Sequence, residues 1–259
     1  MNLLSYTQDA CGVGVITLND PSSRNAMTEE MAEEFSALVS TCRSASRSLR
    51  AIILTGAGAS FSAGGSLQML AEKQRFSGEE NRLRMVGFYN AFLGIRDLHV
   101  PLIAAINGHA IGAGLCLACA CDIRIASPNA KLGVTFAKLG LHPGMGATYF
   151  LPSIVGISIA TDLLITGRTL SADEAFRVGL LSRVTGESDL LTTAHSIAQD
   201  ICRCGPEAIR QVLSGLRQGP RSLSESLERE ALCQSISYAG SEFNEGLSAI
   251  REKREPRFS

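Results

Sequence analysis

Neither sign of charge dominates this chain of 259 residues: Lys and Arg number 24, Asp and Glu 25, and the formal net charge is -1. Without a basic excess there is no electrostatic reason to expect nucleic acid or an anionic membrane as partner, so a small-molecule ligand is the default. The N-terminal stretch MNLLSYTQDACGVGVITL lacks a cationic start followed by a long apolar run, so neither a signal peptide nor a membrane span is expected there. No sequence repeat of about 20 to 50 residues and no low-complexity tract is visible. Of the eight cysteines, Cys116, Cys119 and Cys121 crowd one apolar segment, while Cys202 and Cys204 sit two apart. Such spacings bridge only with distortion, and a reduced, cytosolic chain fits best. They are not the paired spacings of a zinc site either, so no metal is expected. Gly56-Ala57-Gly58 follows a strand, but Ser60-Phe61 replaces the remaining glycine of a dinucleotide fingerprint and no GK[ST] follows. Neither NAD nor ATP is supported.

What is present is a strand, turn and helix arrangement that occurs twice. Leu102 to Ile106 is a continuous apolar run, broken at Asn107-Gly108, after which Gly112-Ala113-Gly114 leads into small and apolar residues that read as a buried helix. Arg50 to Thr55 is a second apolar strand, and Phe61-Ser62-Ala63-Gly64-Gly65-Ser66-Leu67 leads into a short helix over Leu67 to Lys73. A glycine turn that feeds a helix leaves backbone NH groups unpaired, and two such turns supply the two donors that an oxyanion hole needs. Either turn alone is weak evidence, since glycine-rich turns serve steric purposes throughout α/β proteins.

Around these turns, Val13 to Asn19 reads as a strand and Thr28 as the cap of an acid-rich helix running to about Cys42. A longer helix is expected over Asn81 to Asp97, with Leu83, Met85, Phe88, Phe92 and Ile95 mostly in the core. Ile123 to Ala126 and Lys131 to Gly133 read as short strands. The alternation of strand and helix without hairpin signals predicts parallel pairing, and the chain reads as helical from Ser158 to the end.

The segments FSAGGSL (Phe61 to Leu67) and PLIAAINGHAIGAGLCLACACDIRIA (Pro101 to Ala126) closely resemble the enoyl-CoA hydratase/isomerase, or crotonase, superfamily. The resemblance extends in the family's order from Leu18 to Met27, through Leu139 to Gly156 and Leu163 to Val184, to Glu242 to Phe258. It implies an α/β crotonase (ClpP-like) fold with a parallel-sheet core of repeated ββα units over residues 1–195 and a helical oligomerisation region over 196–259. It also implies a homotrimer or dimer of trimers acting on an acyl-CoA thioester, with coenzyme A as part of the substrate and no separate cofactor. The oxyanion donors would be the NH groups of Gly65 and Ala113. Arg24, Asn25, Ala26, Ala63, Gly64 and Leu67 would lie along coenzyme A, and Lys253 would reach the coenzyme A phosphate of a neighbouring subunit. Met85, Phe88 and Phe92 sit where the family walls its acyl pocket, although core packing is the simpler reading.

The resemblance also exposes departures. The two glutamates that hold water in the family's hydratases fall at Cys116 and Phe136. Phenylalanine transfers no proton, and a cysteine in an apolar helix is held as the thiol. Decarboxylase, isomerase or hydrolase chemistry is therefore favoured over water addition, with a catalytically silent acyl-CoA binder or assembly subunit as the alternative. Ser66 stands where aspartate is common and can still cap the next helix. His142 is a candidate relocated acid or base; the competing reading is a loop histidine on a backbone carbonyl. Tyr149 is a weaker candidate, and His109 reads as structural.

Overall fold

The computed structural model describes residues 2–44, 48–219 and 222–258. The chain opens with an antiparallel pair, β1 (Leu4–Gln8) and β2 (Val13–Leu18), followed by α1 (Glu29–Ser44). Three repeats come next: β3 (Ala51–Gly56), β4 (Ser60–Ser62) and α2 (Leu67–Glu72); then, after α3 (Gly78–Leu93), β5 (Leu102–Ile106), β6 (His109–Ile111) and α4 (Ala113–Ala120); then β7 (Ile123–Ala126), β8 (Lys131–Gly133) and α5 (Ala147–Thr166). β9 (Thr169–Ser171), α6 (Ala172–Arg177) and β10 (Arg183–Val184) follow, and then α7 (Leu190–Cys202), α8 (Pro206–Arg217), α9 (Leu223–Ala239) and α10 (Ser241–Glu252).

In each repeat the first strand enters one sheet and the second strand another. The larger sheet runs β1-β2-β3-β5-β7-β10 and the smaller β4-β6-β8-β9. Alternation along the large sheet divides its two faces, as a period of two requires. Ile52, Leu54, Leu102, Ala104 and Ile106 point into the main core, where Phe35, Phe61 and Phe92 also lie. Ala51, Ile53, Ile103, Ala105 and Ile125 point the other way, onto Leu190, Ala194, Ile197 and Ala198 of α7. Burying an isoleucine or leucine completely contributes roughly 1.5–3 kcal/mol, so these two layers hold the strand ends that carry the glycine turns.

Several elements differ from the sequence reading. β1 and β9 pair antiparallel, β1 with β2 and β9 with β8. The region expected to be helical from Ser158 contains β9 and β10, both short, and α5 begins earlier, at Ala147. Strands of two or three residues carry too little periodic signal to separate them from helix caps. The twenty residues of α5 are apolar enough to cross a bilayer by length and composition, but Gly156, at φ 76° and ψ 161°, breaks the helix into two pieces, each too short for that. The division expected at residue 195 falls inside α7, whose apolar face packs on the sheet as one unit. Thr28 caps α1, accepting from Met31 N at 3.1 Å, and all eight cysteines are free thiols.

Candidate functional site

The two glycine turns lie against each other. Gly64 has φ 89°, and a Cβ placed on it would come 2.5 Å from Ile111 O and 3.3 Å from Ala113 N. Only glycine tolerates both that backbone conformation and that approach. On the other side of the junction, a Cβ on Gly114 would stand 2.7 Å from both Cβ and O of Ser62. The start of α4 thus rests directly on the end of β4.

Hydrogen bonds then select which amides remain free. Gly64 N donates to Ser62 Oγ at 3.1 Å, and the same hydroxyl donates to Asn25 O at 2.7 Å. Gly112 N donates to Gly133 O at 2.8 Å, and Ser66 N to Met27 O at 3.0 Å. Among the described residues, the NH groups of Gly65 and Ala113 donate to nothing. Ala113 opens the fully buried helix α4, so its NH also sits at the positive end of the helix dipole. An oxygen that gains negative charge would be stabilised by two such donors, because they need no reorganisation as the charge develops. Ser66 caps α2, accepting from Met69 N at 3.4 Å, so the serine keeps that turn intact.

The segment from Arg24 to Met27 runs beside Ala63 to Ser66, joined by Ala63 N to Arg24 O at 2.9 Å and Met27 N to Gly64 O at 2.7 Å. Arg24 and Leu67 are exposed, and Ala26 and Ala63 are half-buried. Asn25 is anchored within this segment. It is wholly buried, and its side chain receives Asp20 N at 2.9 Å and donates to Ala57 O at 2.9 Å and Ser60 O at 2.8 Å. Its side chain therefore shapes the loop. Arg24 and Asn25 both take left-handed conformations, at φ 59° and 56°, which Asn25's three bonds stabilise.

Cys116 lies one turn into α4 and is buried; burial, then the neighbouring Cys119 thiol, pushes its pKa well above the ordinary thiol value. It is a thiol at neutral pH and no base. The Phe136 ring is half-buried next to the Ala113 turn, 3.8 Å (Cζ) from where a Cβ on Gly112 would stand. His142 is exposed, and its Nδ1 lies 2.8 Å from Pro143 O, as the simpler reading of that residue had it. Tyr149 is 60% exposed. Phe88 and Phe92 are buried, their rings 5.1 Å apart, and Phe92 lies 5.1 Å from Phe35 of α1, which makes both part of the core. Lys253 is exposed at the end of α10 in a left-handed conformation, and none of the bonds within the described residues joins it to the Arg24 to Leu67 surface. Tyr89 escaped the sequence reading, although it falls four residues after Met85 on one helical face. Its hydroxyl stands beside Gly144, and Cys116 contributes electrostatically to its raised pKa.

Two sheets, three strand-strand-helix repeats and paired glycine turns with unused amides define the class of protein. A profile of the Enoyl-CoA hydratase/isomerase family matches residues 8–259, and the chain belongs to that family. It is 35% identical over 251 residues to a probable enoyl-CoA hydratase of Mycobacterium tuberculosis, covering 95% of this chain and 94% of that one. It is 34% identical over 244 residues to a short-chain-enoyl-CoA hydratase of Clostridium acetobutylicum, covering 93% and 92%. An enoyl-CoA hydratase from Bacillus anthracis superposes with a TM-score of 0.92 at 32% identity, over 99% of this chain and 98% of that one. The fold is the crotonase fold.

Proposed function

We propose that this chain binds an acyl-CoA thioester and stabilises its enolate with the NH groups of Gly65 and Ala113, and that the enolate arises by loss of CO2 from a malonyl-type thioester. The observation that carries this reading is the pairing of two unused amides with a buried thiol at Cys116 and a ring at Phe136. Such a site holds an oxyanion but has no group at either position to activate water or remove a proton from carbon. Decarboxylation creates the enolate by breaking a carbon–carbon bond, so it requires no base; isomerisation and hydrolysis each require one. Arg24, Ala26, Ala63, Gly64 and Leu67 form the proposed surface for the coenzyme A portion. Lys253 is proposed to act from a neighbouring subunit of a trimer, or dimer of trimers, a reading supported by the exposed apolar residues Leu216, Leu223, Leu232 and Ile250 of the C-terminal helices.

The test is mass spectrometry of crotonyl, 3-enoyl, malonyl, methylmalonyl and saturated acyl thioesters of coenzyme A incubated with the protein in D2O. The malonyl-type esters should lose CO2 and gain deuterium. Faster addition of water to the crotonyl ester would overturn the reading. The missing carboxylates also suit a silent acyl-CoA binder, and tight binding with every thioester unchanged would select that function instead.

A further inference from the structure

An enolate formed at Gly65 and Ala113 still needs a proton at carbon, and Cys116 and Phe136 are poor sources of one. Tyr89 is a polar group that the site described above leaves unexplained. It projects from α3, half-buried, toward α4 and the loop that enters α5. Its hydroxyl lies so close to Gly144 that a Cβ there would collide with it, and the phenol interacts electrostatically with Cys116. Cys116 is itself three residues along α4 from Ala113. Among the described residues, no hydrogen bond holds the Tyr89 hydroxyl. A phenol reaching over a bare glycine, with no hydrogen-bond partner among the described residues, is placed to meet one in a ligand.

We infer that Tyr89 is the proton donor that quenches the enolate. This role rests on the decarboxylation reading above. In the step, the bond from the α-carbon to the carboxylate breaks, CO2 leaves, and the electron pair enters the enolate, whose oxygen sits at Gly65 and Ala113. The enolate pair then forms a C–H bond with the Tyr89 proton, and the phenolate recovers a proton from water. Burial, with a smaller contribution from Cys116, raises the Tyr89 pKa above the ordinary phenol value. The group is therefore protonated at neutral pH and serves as a donor, not as a base. Gly144 is the positioning residue that makes room for the hydroxyl.

The test uses methylmalonyl thioester in D2O with the full chain, comparing wild type, Tyr89→Phe and Gly144→Ala. Wild type should release CO2 and deposit one deuterium in a single configuration at the α-carbon. Tyr89→Phe should retain thioester binding, turn over roughly 100-fold more slowly, and give deuterium in both configurations, because water then quenches the enolate from either face. Gly144→Ala, which keeps the phenol but displaces it, should also lose the single configuration. Either variant retaining it, whatever its rate, overturns the role of Tyr89 while leaving decarboxylation standing. A wild type that releases no CO2 from malonyl or methylmalonyl thioester overturns the decarboxylation reading, and the donor role with it.

Discussion

Around Gly65 and Ala113 the backbone is committed almost completely: Ser62, Asn25, Gly133 and Met27 take the neighbouring groups, and α4 is buried along its whole length. From α8 to α10 the proportions reverse. α8 buries only Leu213, α9 buries none of its residues and α10 only Ala249, while Leu216, Leu223 and Ile250 are about three-quarters exposed. The first region is finished within one chain, and its precision comes from contacts where no side chain would fit. The second presents an apolar surface that a single chain leaves open. One strong tether joins them: Arg217, near the end of α8, pairs with Asp122 at 2.6 Å and donates to the carbonyls of Arg96, Leu98 and Val100.

Cutting that tether gives the largest expected effect. Arg217→Ala removes a largely buried guanidinium, leaves the Asp122 carboxylate with Leu102 N alone and takes this donor from three carbonyls, which should destabilise the fold by about 3–5 kcal/mol. Urea unfolding checks the value, and a loss within error of zero would show that α8 is held by its apolar contacts alone. Within the site, Ala113→Pro deletes one amide proton at the first helical position, where proline is structurally tolerated. Turnover should fall roughly 100-fold to 1000-fold with the melting temperature little changed, which separates chemistry from folding in a way that Gly64→Ala or Gly114→Ala cannot. Retained turnover by a folded Ala113→Pro protein would remove Ala113 from the site.

Asn25→Ala asks how far the site depends on its supporting loop. Its loss leaves Ala57 O, Ser60 O and Asp20 N unmet and should cost about 1–3 kcal/mol, while weakening thioester binding through the displaced Arg24 to Met27 segment. Unchanged binding would uncouple loop from ligand. The smallest effect concerns the C-terminal tail, where Arg254 and the NH of Arg257 hold the Glu245 carboxyl down to about 2. Because the folded pKa is depressed, the tie is fully present above the unfolded glutamate value of roughly 4.3 and is lost only as pH falls toward the folded one. The Glu245 carboxyl resonance should therefore stay flat on acidification through the range where exposed glutamates titrate. A normal titration curve would show the tail to be free.

How much of this was legible in advance depends on the kind of signal. The runs Leu102 to Ile106 and Arg50 to Thr55, the latter found one residue on, the cap at Thr28 and the two glycine turns were readable, since apolar runs and glycine punctuation are local properties of the chain. β9 and β10 were not, because two or three residues make a strand only when a neighbour supplies the ladder. Asn25 read as a ligand contact, but its buried amide is defined by carbonyls more than thirty residues away. Tyr89 was hidden for the same reason: its meaning comes from Cys116 and Gly144, on elements that the chain reaches much later.

The sequence by itself determined the family and the repeated strand and helix units, since residue identity and local periodicity suffice for each. Only the tertiary structure decided that Gly64 rests on Ile111 and Gly114 on Ser62, that the amides of Gly65 and Ala113 are the ones left unused, and that a tyrosine from α3 stands over Gly144. Those facts depend on which groups are already bonded and which atoms are already in contact, and only the folded chain settles either.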